Sequence, residues 1–257
     1  HSLATTKHFI RQCVALRSVN VGIKWVVFDA VGTVINPVPS VAQAYHMIGK
    51  QFGSERTLEE VRLRFMSAFS ETEQQDASRG STGMTTNADV EETRWRYIVA
   101  EVFPEVEDGE GCFRRLHDYF AELTAWRAFD DTLPTLHSLS ERGLRLAIAS
   151  NFDHRLHAIC DGLATFGLFE KRFISSELGF RKPSMQFYQA VVDALKVDAE
   201  QILMVGDSLK NDVEGALSVG MKAVLIDRKL PHADKTGLSD SPFGVVRSLT
   251  DLQGLLS

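Results

Sequence analysis

The sequence predicts an α/β protein: a Rossmann-like parallel sheet core carrying an inserted, wholly helical domain. Three observations carry that prediction. From residue 128 onward, short continuous apolar runs alternate with helical patterns, as in a parallel sheet covered on both faces. Three of the apolar runs end in polar residues, at Asp29, Ser150 and Asp207. Between the first run and the others, residues 40–127 show helical periodicity with no strand-like run.

Residues 1–22 bear a weak helical stripe (Phe9, Cys13, Leu16) without a capping signal, and read as a tail or peripheral helix. Ile23–Phe28 is a buried-type strand that runs into Asp29-Ala30-Val31-Gly32-Thr33, and Pro37 and Pro39 end the extended segment. From Ser40 the stripes are helical: Val41, Ala44, Tyr45, Ile48 and Phe52; Leu58, Val61, Phe65 and Phe69; then Phe113, Leu116, Phe120 and Leu123. Residues 71–89 are polar and carry Gly80 and Gly83, which predicts a helix-to-helix loop, with Asn87 capping a helix through Trp95, Ile98 and Val99.

Alternation then resumes. A helix over 133–142 stops at Gly143, and a strand over 144–149 ends at Ser150-Asn151. A short strand over 172–175 leads to Lys182-Pro183 and a helix through Phe187, Val191 and Leu195. The strand Ile202–Val205 ends in Gly206-Asp207, a helix carries Asp212 to Val219, and Ala223–Ile226 is a further strand. The core domain is thus 23–39 with 128–257, and the helical domain 40–127. Ligands of such sheets bind outside the carboxyl ends of the strands.

The net charge of −6 gives no electrostatic case for nucleic acid or an anionic membrane as partner. Apolar runs are strand-sized, so no membrane span is expected. Arg11 and Arg17 interrupt the apolar residues near the start, so no signal-peptide core is expected either. Cys13, Cys112 and Cys160 form no paired motif, which points to a reducing, cytoplasmic setting.

In order, the chain carries Asp29-x-x-Gly-Thr33, a strand-end Ser150, Lys182-Pro183, and Gly206-Asp207 followed by Asp212. This series resembles the haloacid dehalogenase-like (HAD) hydrolase superfamily, and the helical insert resembles the cap of its C1-capped members. The resemblance implies a small-molecule substrate and gives each residue a role. Asp29 is the candidate nucleophile, whose carboxylate would form a covalent ester. Ser150, the Asn151 N–H, and Gly32 and Thr33 of the first turn would bind the transferring group. Lys182 would hold nucleophile and anion together as a point charge. Arg181 beside it reads as a surface residue. If Asp207 and Asp212 lie near Asp29, three carboxylates crowd one site, and a hard divalent cation, Mg2+, would relieve them. The resemblance adds the Val31 backbone carbonyl as a further metal ligand, and makes Asp207 part of the catalytic set.

Val31 stands where the family's phosphomonoesterases carry a second Asp. That Asp supplies general acid–base help typically worth about 10²–10⁴-fold. Its loss leaves three readings. The first is a Mg2+-dependent phosphatase of small phosphorylated metabolites, working through an aspartyl-phosphate on Asp29. The second is a 2-haloacid dehalogenase, since halide needs no proton to leave. The dehalogenase motif D-x-Y-G-T is close to Asp29–Thr33, and Ser150-Asn151, Lys182 and Tyr188 match that branch. Val31, Asp207 and Leu209 depart from it, standing where it has Tyr, Ser and Asn. The third is a non-catalytic phosphate-ligand-binding or interaction protein. A monomer or homodimer is expected in each case, and His46 and His117 in the insert read as surface or packing residues.

Overall fold

The computed structural model describes residues 22–230 and 243–256. The tail or peripheral helix expected at 1–22 lies, but for Gly22, outside the described residues. The strands are β1 (Trp25–Phe28), β2 (Ile35–Pro37), β3 (Trp126–Ala128), β4 (Arg145–Ser150), β5 (Lys171–Ile174), β6 (Ile202–Gly206), β7 (Lys222–Ile226) and β8 (Gly244–Val246). Six of them form one parallel sheet in the order β5-β4-β1-β6-β7-β8. β1 is central, with Phe28 opposite Ile148 on one side and Val205 on the other.

The all-apolar composition of β1 and β6 follows from this position. Both are buried at every residue, because helices cover both faces of the sheet. Val26, Phe28, Leu146 and Ile148 join one apolar cluster, and Trp25, Val27, Ala147 and Ala149 the other. That is the two-residue alternation of a strand, with both faces dry. β8 has no counterpart in the sequence reading, because three residues at a half-buried sheet edge leave no apolar run.

Four helices lie between β2 and β3: α1 (Val41–Gln51), α2 (Leu58–Ser78), α3 (Ala88–Val102) and α4 (Gly109–Tyr119). Polar side chains fix their starts. The Thr57 hydroxyl accepts from Glu60 N–H while the Glu60 carboxylate accepts from Thr57 N–H, and Asn87 accepts from Val90 N–H. Caps of this kind stabilise by about 1 kcal/mol each. The first cluster of the sheet continues through Val34, Ile35 and Trp126 to Tyr45, Ile48, Ile98 and Phe113 of these helices. Sheet and helical insert therefore share one apolar core.

Residues 71–78, read from sequence as loop, are the last two turns of α2. They are polar because their inward face meets ions: Thr72 and Asp76 are buried. β2 and β3 pair antiparallel, with Asn36 opposite Arg127, so the chain leaves for the insert and returns from it along one two-stranded ribbon. A second crossing lies at the other end of the insert, where Thr86 N–H bonds Gly179 O and Arg181 N–H bonds Met84 O.

Of the remaining helices, α5 (Thr132–Glu141) and α6 (Arg155–Gly162) cover one face of the sheet. The short α7 (Ser175–Leu178) precedes α8 (Met185–Leu195), which covers the other face through Phe187, Val191 and Leu195. The helix expected from Asp212 starts earlier, as a wide π turn over Leu209–Glu214.

Candidate active site

Asp29 follows β1 directly, and its N–H bonds Val205 O at 2.9 Å, so parallel pairing extends to the residue that bears the carboxylate. The chain then folds back: Val34 and Ile35 N–H both bond Ala30 O, and Gly32 N–H bonds Ile35 O. Gly32 has φ +90°, and a Cβ there would lie 2.2 Å from Asp207 Oδ2. Glycine is needed twice over, for the left-handed backbone and for the approach of Asp207. At Gly206 a Cβ would likewise fall 2.2 Å from the Asp212 carboxyl.

Lys182 is buried at the centre. Its Nζ donates to Asp29 Oδ1 at 2.6 Å, Asp212 Oδ1 at 2.6 Å and Ala149 O at 2.9 Å. The Asn151 side chain clamps the Lys182 backbone, accepting from its N–H at 2.8 Å and donating to its carbonyl at 3.0 Å. Ser150 is buried at the end of β4, and Thr33 is buried with its hydroxyl unpartnered. Asp212 Oδ2 accepts from Ser208 N–H at 3.0 Å. The Tyr188 hydroxyl donates to Asn211 O at 2.6 Å and so pins the start of the π turn.

Asp29, Asp207 and Asp212 each offer an oxygen within 4.8 Å of the others. Burial pushes Asp29 up to about 7, against the opposing charge of Lys182 and with Asp212 and Asp207 adding to the rise. Asp207 is more open to solvent, yet loss of hydration and the charge of Asp212 push it up to about 6. Burial alone would lower Lys182; Asp212 and Asp29 outweigh it and keep the ammonium charged. One ammonium faces three carboxylates, an arrangement that is costly without a further cation. The donor set fits a hard divalent ion. Asp29, Asp207 and Asp212 would hold such an ion through carboxylate oxygens, the ligands that Mg2+ prefers.

Beside Val31 opens a cavity of about 300 Å³. Asn151, Phe152, Asp153 and Arg155 line it from the sheet side, and aromatic side chains of the insert, among them Tyr45, Phe65, Phe69 and Trp95, line the rest. Arg155 is bound to Asp153 through both carboxylate oxygens and donates to His117 O. His117, also on the wall, is held below its ordinary 6.5 by burial and by Arg155. A larger cavity of about 440 Å³ lies between Asp76, Asn87, Arg94 and Tyr97, and holds none of the catalytic, substrate-binding or metal residues named from sequence.

The sequence reading missed two features. Arg181 is not on the surface but buried, donating to Asp76 at 2.7 Å and Glu73 at 3.0 Å and lying 3.4 Å from Glu91. Arg94 completes this cluster, pairing with Asp76 and Glu91. The signal was there: Glu73 and Asp76 are three apart, on one helix face. The aromatic cavity was missed because its walls have the same periodicity as a filled core.

The chain matches the haloacid dehalogenase-like hydrolase family over residues 23–220. It belongs to that family. This hydrolase is 26% identical over 242 residues to haloacid dehalogenase-like hydrolase domain-containing protein 3 of Danio rerio, covering 92% of this chain and 97% of that one. It is 27% identical over 132 residues to the glyceraldehyde 3-phosphate phosphatase of Methanothermobacter thermautotrophicus, covering 49% and 58%. Its fold matches the magnesium-bound HAD-hydrolase YfnB of Bacillus subtilis with a TM-score of 0.72 at 19% identity, over 92% of this chain and 99% of that one. A HAD phosphatase and 2-haloacid dehalogenases share the fold as well. Among the described residues, no helix of this hydrolase is long and apolar enough to cross a membrane.

Proposed function

We propose that this hydrolase is a Mg2+-dependent phosphatase of a small phosphorylated metabolite, working through an aspartyl-phosphate on Asp29. The observation that carries this reading is the gathering of three carboxylates, two of them bonded to one buried ammonium. Asp29, Asp207, Asp212 and the Val31 carbonyl would hold the ion. Bound there, Mg2+ supplies charge neutralisation for the transferring phosphoryl group and its nucleophile. The rest falls to side chains and backbone. Asp29 attacks phosphorus. Lys182 orients Asp29, and Ser150 with the Asn151 and Thr33 backbone N–H groups binds phosphoryl oxygens; Gly32, whose N–H is taken by Ile35 O, serves by leaving room in the turn for Asp207. The Asn151 side chain keeps the ammonium in position through the Lys182 peptide. Residues 40–127 act as a cap over the core formed by 23–39 and 128–257, excluding water from the site.

Val31 and the apolar cavity beside it favour a second reading, a 2-haloacid dehalogenase. Against it stands Asp207, a carboxylate that a metal-free site would have to accommodate beside Asp29 and Asp212. A turnover panel separates the two: phosphomonoesters, an acyl phosphate and 2-haloacids, each with Mg2+ and with chelator. Phosphate release that needs Mg2+ and is lost in Asp29→Asn supports the phosphatase. Halide release that ignores the chelator overturns it, and binding of Mg2+ with no turnover of any substrate makes the protein a binding module.

A further inference from the structure

The cavity beside Val31 is built for a particular kind of leaving group. Its walls are a run of rings: Tyr45 lies 5.0 Å from Phe65, Phe65 lies 6.0 Å from Phe69, and Phe69 lies 6.2 Å from Trp95, centroid to centroid. Trp126 and Phe152 add a further pair at 5.8 Å. The charged side chains on its wall, Asp153 and Arg155, are committed to each other, the Asn151 amide is committed to the Lys182 backbone, and burial and Arg155 hold the His117 imidazole toward its neutral form. A sugar or a second carboxylate entering here would lose its hydration without a free charge to meet it. A flat apolar group would not. The volume of about 300 Å³ is at the small end for ligand pockets and suits one or two fused rings.

Val31 points to the same chemistry from the other side. It lines this cavity and supplies no proton. An alkoxide, the anion of an acid about as weak as water, leaves poorly without one. A phenolic oxygen, with a pKa of about 10, leaves as its anion. We propose that the substrate is an aryl phosphate whose aromatic leaving group occupies this cavity. The proposal rests on the phosphatase reading above and names its substrate class. In the first step an Asp29 oxygen bonds to phosphorus while the bond from phosphorus to the aryl oxygen breaks. The electron pair departs with the aryl oxygen, and the phenolate takes a proton from solvent. Water then bonds to phosphorus, the phosphorus–Asp29 bond breaks, and the carboxylate returns with one water proton released. The net change is aryl phosphate and water to phenol and inorganic phosphate.

The test compares phenyl and 2-naphthyl phosphate with n-butyl phosphate and acetyl phosphate, in Mg2+, on the full chain. n-Butyl phosphate is apolar but leaves as an alkoxide; acetyl phosphate leaves easily but does not fill the cavity. The expected kcat/KM for the aryl esters exceeds that for n-butyl phosphate by about 100-fold or more. Phe69→Ser, at a partly exposed wall position, should lower the ratio of aryl to acetyl phosphate kcat/KM by about tenfold. Trp95→Leu, a second variant on the wall, should lower the same ratio. Turnover of acetyl phosphate with no preference for aryl over butyl esters, or a ratio that neither variant moves, overturns the substrate class and leaves the phosphatase reading standing. Failure to release phosphate from acetyl phosphate as well overturns both.

Discussion

Arg181→Met removes a guanidinium that three carboxylates share. Its side chain is 6% exposed, against 13% for Asp76 and 5% for Glu91; Glu73, at 26%, can turn toward water. After the substitution, Arg94 is the ion-pair partner left to Asp76 and Glu91 among the described residues. Breaking a buried ion pair from one side costs about 3–5 kcal/mol, because the surviving charge stays desolvated. For a chain of this size each kcal/mol is worth about 2–4 °C, so Tm should fall by about 6–20 °C. Thermal and urea unfolding of the wild type, Arg181→Met, Asp76→Asn and the double variant measure the loss and its coupling. A coupling of about 0.5–3 kcal/mol is expected for side chains in contact. A loss below ~1 kcal/mol, the value of an exposed pair, would refute the reasoning: the cluster would then be wet and would not join α2 to the segment that carries Lys182.

Without metal, Asp29 and Asp207 sit above their unfolded values. Their contribution to stability is therefore complete below about pH 4 and is lost as pH rises through about 6 to 7. Mg2+ binds the ionised forms, so the rise in Tm on adding Mg2+ should grow from pH 5 to pH 8 in differential scanning fluorimetry; a gain that ignores pH would count against these ligands. Val31→Asp should raise Mg2+-dependent hydrolysis of alkyl phosphates by about 10²-fold or more, read as phosphate release. No rise would mean that another group already supplies the proton. Gly32→Ala meets both a left-handed backbone and the Asp207 carboxylate, and should destabilise by more than ~1 kcal/mol in urea while weakening Mg2+ binding by calorimetry.

The sheet was legible because burial on both faces writes itself into composition: Trp25–Phe28 and Ile202–Val205 have no polar residue to confuse the reading. Asp29, Ser150 and Asp207 were legible for the same reason, as the first polar residues after such runs. Residues 71–78 were not, because a helix whose inner face is ionic has the composition of a loop. Nor was the work of the Asn151 side chain, whose partner is a backbone 31 positions away. Periodicity also could not tell that Phe65, Phe69 and Trp95 surround a space rather than fill one. It reports which face of a helix is apolar, not what lies against it.

The ribbon of β2 and β3 limits how the insert can travel. Two separate linkers would leave it free to twist, slide and tilt. Bonded edge to edge, with Asn36 opposite Arg127, the two crossings must bend together. The far end is tied as well, by Thr86 to Gly179, Met84 to Arg181 and the Arg181 ion cluster, so the insert is held at two places and not one. Trp126 stands on the ribbon and Phe69 and Trp95 between the two ties, so the rings around the space beside Val31 are fixed from both ends.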